Sequence, residues 1–466
     1  MILFYIVVFG VITSLRHYNF QTQTWDLAAF VQSVWSAGHG GGLVNTLEQV
    51  PNHLGLHFSP FLFLLAPFYR IFESPYLLLV IQTIGLALGA LPLYFLAKRH
   101  LPSFWPLFIS GAYLLYPGIH WANIYDFHEI TFFIPLLLAA LYFFELEKWL
   151  WGGIFLTLAA SVKEDAILTV IFVGLYLLAK RSEISRRRFN ANQKSGIFIA
   201  VIALVYFIAV VQVFMPALGG GVLRFDRYTN LGETPAEIIK NIAADPLLLP
   251  ATIFTGEKIR YLFWLFLPLT FLPFLSWRPL ILLIPGLAEN LLTDYQFQFS
   301  GLYHYDSILI PGIFLAAIYG VKYFLIRWPE KEKFLKYAFL TTMAIGFLFR
   351  SPINPVYFPA HYFQSTPQET AYRNMVKIVP PDVSVAAQTN MVPHLANREK
   401  IYLAGLEPEI ADIVLLDAKD LFGFKEESVF KEYLDGYMLS DQYRFQMFDD
   451  RYIILLNKKF KLSSSD

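Results

Sequence analysis

Residues 149–179 read WLWGGIFLTLAASVKEDAILTVIFVGLYLLA, two apolar arms joined through Lys163, Glu164 and Asp165. One continuous helix here would run about 46 Å. It would also carry the arginine-rich loop at 180–194 to the opposite side of the membrane from the other basic clusters. Two helices meeting at the charged triplet keep those clusters together, as the positive-inside rule requires. Each arm supplies only about 21 Å of helix against the roughly 30 Å of a full crossing, so the triplet is expected to sit recessed below the outer surface. A charge at that depth is costly unless it is paired or faces a watery cavity, and by default it marks a functional site. A structural Lys–carboxylate pair holding two short helices is the plainer alternative. As helical neighbours, Glu164 and Asp165 cannot share one face, so at most one addresses a substrate.

The rest of the chain fits that reading. Its 466 residues are 56% hydrophobic and 15% charged, a balance no water-soluble surface carries. The apolar residues fall in repeated runs rather than alternating, which implies a polytopic all-α membrane protein and not a barrel. A net charge of zero argues against nucleic acid as a partner, which demands an excess of basic surface. With no cysteine there is no disulfide, thiolate metal site or cysteine nucleophile. The opening MILFYIVVFGVITSLRHY lacks a basic leader and a cleavage site, so it reads as a short first span; with nothing basic before it, it is consistent with a truncated start. Internal repeats are not evident.

About eleven spans are expected, near 1–15, 75–97, 104–118, 130–146, 149–162, 166–179, 195–215, 259–275, 279–293, 305–326 and 334–349. The basic clusters at 97–100, 180–194, Arg278 and 327–336 mark the cytoplasmic side. The loops 16–74, 119–129, 216–258 and 294–304 then open outside, and with them Asp26, His57, Asp126, His128, Glu129 and His304. Residues 1–349 form the transmembrane domain. Residues 350–466 are polar, and their strand-like runs VSVAAQ, KIYLAG, ADIVLLD and RYIILLN suit a small C-terminal α/β domain, extracytoplasmic by the same count.

Each candidate has a plainer role. Asp26 precedes LAAFVQSVW and suits the N-cap of an amphipathic surface helix. His57 and His304 sit among aromatics, as interfacial side chains do. His128 with Glu129, or with His57, are candidate ligands for a divalent cation, at a spacing that matches no fixed metal box. Arg16 and Arg70 suit lipid headgroups. The run GGG at 219–221, before Arg224, Arg227 and Tyr228, resembles a phosphate cradle only weakly and a flexible linker better.

In WDLAAFVQSVW (25–35), HFSPFLFLLAPFYRIF (57–72), YDFHEI (125–130), KEDAIL (163–168), YHY (303–305) and PHLANREKIYLAG (393–405), the chain resembles a family of prokaryotic multi-spanning proteins grouped with the GT-C glycosyltransferases. The likeness covers most of the chain. It implies a GT-C-like fold in the cell membrane and inverting transfer of a sugar from a polyprenyl-phosphate donor to an extracytoplasmic lipid, glycan or protein acceptor. A lipid phosphate leaves readily, so one base suffices where glycoside hydrolysis needs two carboxyl groups. The resemblance places that base at Asp26, although the adjacent pair of acids common in the superfamily is absent: Trp25 and Leu27 flank it. Lys163 and His304 would receive the donor phosphate, with or without a divalent cation. His57, Asp126, His128 and Tyr305 would shape the substrate pocket, Glu164 or Asp165 would keep Lys163 charged or hold the metal, and the tail would hold the acceptor. Two rivals stand beside this: an ion- or proton-coupled transporter, since intramembrane Lys, Glu and Asp also build relays, and a non-catalytic assembly or sensing protein.

Overall fold

A computed structural model describes residues 1–180, 191–221, 223–356, 358–407 and 410–460. Most of the basic run at 180–194, and the Arg224 side chain, lie outside the described residues. The protein is mostly helical with a small C-terminal sheet. It divides into two compact units: residues 1–10, 54–61 and 81–359 form the first, and 11–53, 62–80 and 360–466 the second.

Three helices are long and apolar enough to cross a membrane, Pro75–His100, Asn192–Ala217 and Ile310–Arg327, and Ile2–Tyr18, Leu62–Ile71 and Trp149–Ala160 are shorter apolar helices. Eleven continuous spans are therefore not found among the described residues: some expected runs form helices of only 12–17 residues, and others are broken, with proline at the breaks. The run at 104–118 splits into Trp105–Leu114 and Pro117–Ile124. The run at 259–275 stops at Phe266, where Pro268 removes a donor and Thr270 and Phe271 turn left-handed (φ 57° and 54°). The run at 279–293 becomes short turns before the helix Ile284–Leu292.

The break at the charged triplet is real. One helix ends at Ala160, Lys163 is extended (φ −166°, ψ 158°), and the next helix, Glu164–Ala179, starts with two acids in its first turn, where the helix dipole favours them. That helix packs on Asn192–Ala217 at backbone contact: a Cβ on Gly174 would lie 2.5 Å from the Gly196 carbonyl oxygen. Small residues allow this approach, as in membrane helix pairs generally. The glycine run at 219–221 serves a similar end. A Cβ on Gly220 would lie 1.7 Å from the Gly55 carbonyl oxygen, and Gly221 N donates to that same oxygen at 3.2 Å. At Gly220 the run is a point where two backbones cross.

The second unit holds a five-stranded sheet of β1 (Val385–Ala387), β2 (Ile401–Leu403), β3 (Ile413–Asp417), β4 (Tyr443–Phe448) and β5 (Tyr452–Asn457), in the order β2-β1-β3-β5-β4. β1 pairs in parallel with β2 and β3; β5 is antiparallel to β3 and β4. Tyr402, Val414, Leu416, Phe430, Ile453 and Leu455 belong to its core. The first loop is built into this unit. Gln32 Nε2 donates to the carbonyls of Arg398 and Glu399 (3.1 and 3.0 Å), and Thr46 Oγ1 accepts from Ile401 N (3.1 Å) while donating to the Ile401 carbonyl.

Candidate functional site

The first unit gathers most of the polar residues singled out above. Lys163 Nζ lies 3.6 Å from Asp165 Oδ2, with side chains 13% and 29% exposed. Glu164 turns the other way, accepting from His57 Nδ1 at 2.9 Å and from Phe58 N at 2.8 Å. The two acids thus divide as helical neighbours must: one pins the 57–58 segment and the other balances the ammonium. Glu129 accepts from Ser59 Oγ at 3.4 Å. Glu289, on the helix Ile284–Leu292, accepts from Gln298 Nε2 at 3.3 Å and lies in the electrostatic field of Lys163, Asp165 and Arg227. Burial alone would lower the Lys163 pKa, but Asp165, Glu129, Glu164 and Glu289 outweigh it and hold the ammonium above its ordinary range.

Rings form a second part of the cluster. His128 and His304 stack 3.7 Å apart, Tyr125 stacks on His128 at 5.6 Å, and Tyr305 lies 4.4 Å from His304. Gln82 sets the loop that delivers them. Its Nε2 donates to the Asp126 carbonyl (2.7 Å) and its Oε1 accepts from His128 N (2.7 Å). Asp126 itself takes the left-handed conformation (φ 51°) that turns this loop. The Arg227 guanidinium lies 4.3 Å from the Tyr295 ring centre and 5.6 Å from that of Tyr305.

His304 reaches the cluster but not as a cation. Burial, then the neighbouring His128, Lys163 and Arg227, push its pKa well below the ordinary histidine value, so the ring is neutral. Its Nδ1 is buried without a hydrogen-bond partner, so one bond of the cluster is left unmade. The second positive charge of the cluster is Arg227. No three metal-binding side chains stand together among the described residues. His128 and Glu129 share the cluster, with no third ligand grouped with them among the described residues.

Asp26 belongs to the second unit. It lies in a π-helical turn, Thr24–Ala28, whose N-cap is Gln23, so it is a first-turn residue and not the cap. Thr24 ties this turn to the tail: its N donates to Thr389 Oγ1 at 3.1 Å. Single π turns occur often at functional sites.

Gln82 and Glu289 escape a reading of the sequence. Each is one polar residue inside an apolar run, and the usable signal was that a lone carboxylate or amide in such a run needs a partner.

No curated protein matches the chain. Among solved structures, the apo oligosaccharyltransferase of Archaeoglobus fulgidus is similar at 10% identity and a TM-score of 0.44, over 100% of this chain and 75% of that one, a likeness too distant to carry an activity across. A family model matches residues 16–453, nearly the whole length, and the chain belongs to that family of predicted membrane proteins, DUF2079.

Proposed function

We propose that this protein is a membrane glycosyltransferase that moves a sugar from a polyprenyl-phosphate donor to an extracytoplasmic acceptor. The observation that carries the proposal is one cluster holding two fixed cations, Lys163 and Arg227, beside a stack of imidazole and tyrosine rings with an unspent His304 Nδ1. The half-buried Tyr125 and Tyr305 at the ends of the stack offer ring surface against which a sugar can lie, and an ammonium and a guanidinium suit a phosphate that gains charge as it departs.

In the reaction, the acceptor hydroxyl oxygen bonds to the anomeric carbon as the bond to the phosphate oxygen breaks. The phosphate keeps the electron pair, and the hydroxyl proton passes to a base. That base is assigned to Asp26, which the family resemblance singles out. Attack opposite the leaving group inverts the anomeric centre.

A transfer assay with radiolabelled polyprenyl-phosphate sugars tests this. Asp26→Asn is expected to lower the rate by about 10²–10⁴-fold, as for loss of a general base. Lys163→Met is expected to lower it by about 10²–10³-fold, as for loss of one group stabilising developing charge. Transfer undiminished in both variants would end the proposal.

One observation favours a second reading. Four carboxylates, Glu129, Glu164, Asp165 and Glu289, surround Lys163, an arrangement that also suits a proton or cation relay. Reconstituted vesicles would then show a proton flux that Glu289→Gln abolishes, with no sugar transfer at all.

A further inference from the structure

The second unit contains a cavity of about 430 Å³ where the end of the first helix meets the start of the tail. Carboxamides dominate its wall: Asn19, Gln21, Gln23, Gln368 and Asn390. Some of them are committed. Asn19 Nδ2 donates to the Tyr362 carbonyl at 2.9 Å, Gln368 Nε2 donates to the Tyr372 hydroxyl at 2.7 Å, and Gln23 Oε1 accepts from Thr389 Oγ1 at 3.2 Å. Two acceptors are not: Asn19 Oδ1 and Gln21 Oε1 are buried and have no hydrogen-bond partner. Asn19 is only 3% exposed. Buried polar atoms in folded proteins are nearly always satisfied, so two orphans on residues that line one cavity point to a polar ligand beside them that supplies donors.

Charge narrows the class. Arg16 and Glu369 both line the cavity and offset one another, so a phosphate or other anion would meet a carboxylate there. A neutral ligand with many hydroxyls would meet the same carboxylate without repulsion. Phe20, Tyr362 and Tyr372 add ring surface to the same wall. Amides, one carboxylate and one guanidinium can each bond adjacent hydroxyls in pairs, and rings cover the C–H face of a pyranose. The volume lies within the range of roughly 300–1,000 Å³ typical of small-molecule sites.

We propose that this cavity is a saccharide site that seats a neutral hexose unit of the acceptor. Its acceptor role rests on the glycosyltransferase reading; saccharide binding does not. Neither edge strand of the sheet lines the cavity, so nothing here favours a peptide added as a strand.

Saturation-transfer NMR on the full chain in detergent micelles, with the methyl glycosides of glucose, mannose and galactose as probes, tests the proposal. Saturation transfer to at least one hexoside is expected. Gln21→Leu and Asn390→Leu should each weaken binding by about five- to tenfold, the size of one lost hydrogen bond, while Gln446→Leu on the exposed strand β4 should leave it unchanged. No transfer to any hexoside from wild-type protein, or binding that both cavity variants leave intact, overturns the proposal. Hexoside binding without transferase activity would keep this site and remove the glycosyltransferase reading; transferase activity without hexoside binding would do the reverse.

Discussion

Glu164 illustrates how one side chain sets the local chemistry. By holding His57 and the Phe58 amide, it leaves Asp165 to face Lys163. Gln82 does comparable work for the opposite loop, and Gln82→Leu is expected to cost about 2–3 kcal/mol, because the Asp126 carbonyl and His128 amide lose their partner inside the protein. Thermal unfolding in micelles would measure it, and a melting temperature equal to wild type would refute it. In the tail, Asp417 accepts two bonds from Arg451 (both 2.6 Å) and one from the Tyr372 hydroxyl (2.8 Å). Burial alone would raise its pKa, but Arg451 and the other donors outweigh that and hold it below the ordinary aspartate value. A depressed carboxylate stabilises the fold above its unfolded pKa and loses that contribution as pH falls through the folded one. The tail should therefore be insensitive to pH near neutrality and weaken only below about pH 4, the ordinary aspartate range. Asp417→Asn should remove that acid limb and cost about 3 kcal/mol at neutral pH, read from chemical denaturation. Charged residues such as Lys163 and His57 were legible in the sequence because they interrupt apolar surroundings. Glu289 and Gln82 were not, since their roles depend on partners far along the chain.

At the scale of elements, the short arms around the triplet and the strands β1, β2, β3 and β5 follow directly from residue pattern. β4 does not. Its side chains are mostly exposed, so YRFQMF shows no buried alternation to read. The broken spans were hidden for a different reason: a hydropathy run records composition, whereas Pro268 or Pro117 acts on backbone hydrogen bonds. The crossing of Gly220 over Gly55 gives a paired test. Gly220→Ala is expected to destabilise by about 1–3 kcal/mol through overpacking against Gly55, while Gly221→Ala, whose added carbon meets nothing within 4 Å, should be close to neutral. Equal unfolding temperatures for the two variants would show that the crossing is not tight.

For the whole molecule, the division into units does not follow chain order. The tail shares its unit with residues 11–53 and 62–80, where Gln32 bonds the carbonyls just before β2 and Thr46 bonds Ile401 on it. A fragment of residues 360–466 alone is therefore expected to unfold without a sharp transition, whereas the full chain should show one for the same strands by amide exchange. A cooperative melt of the isolated fragment would contradict this. The sequence announced the tail as an α/β domain but gave no sign that the first loop was stitched into it, because contacts more than 350 residues apart leave no local pattern. That stitching has an outcome for self-association. The sheet has two margins, β2 and β4, and Thr46 occupies the outward amide and carbonyl of Ile401 on β2. Fibrils propagate only when both margins can recruit a neighbour. With one margin plugged, strand-to-strand recruitment through β4 stops at a pair, and the overexpressed full chain should accumulate as dimers instead of filaments.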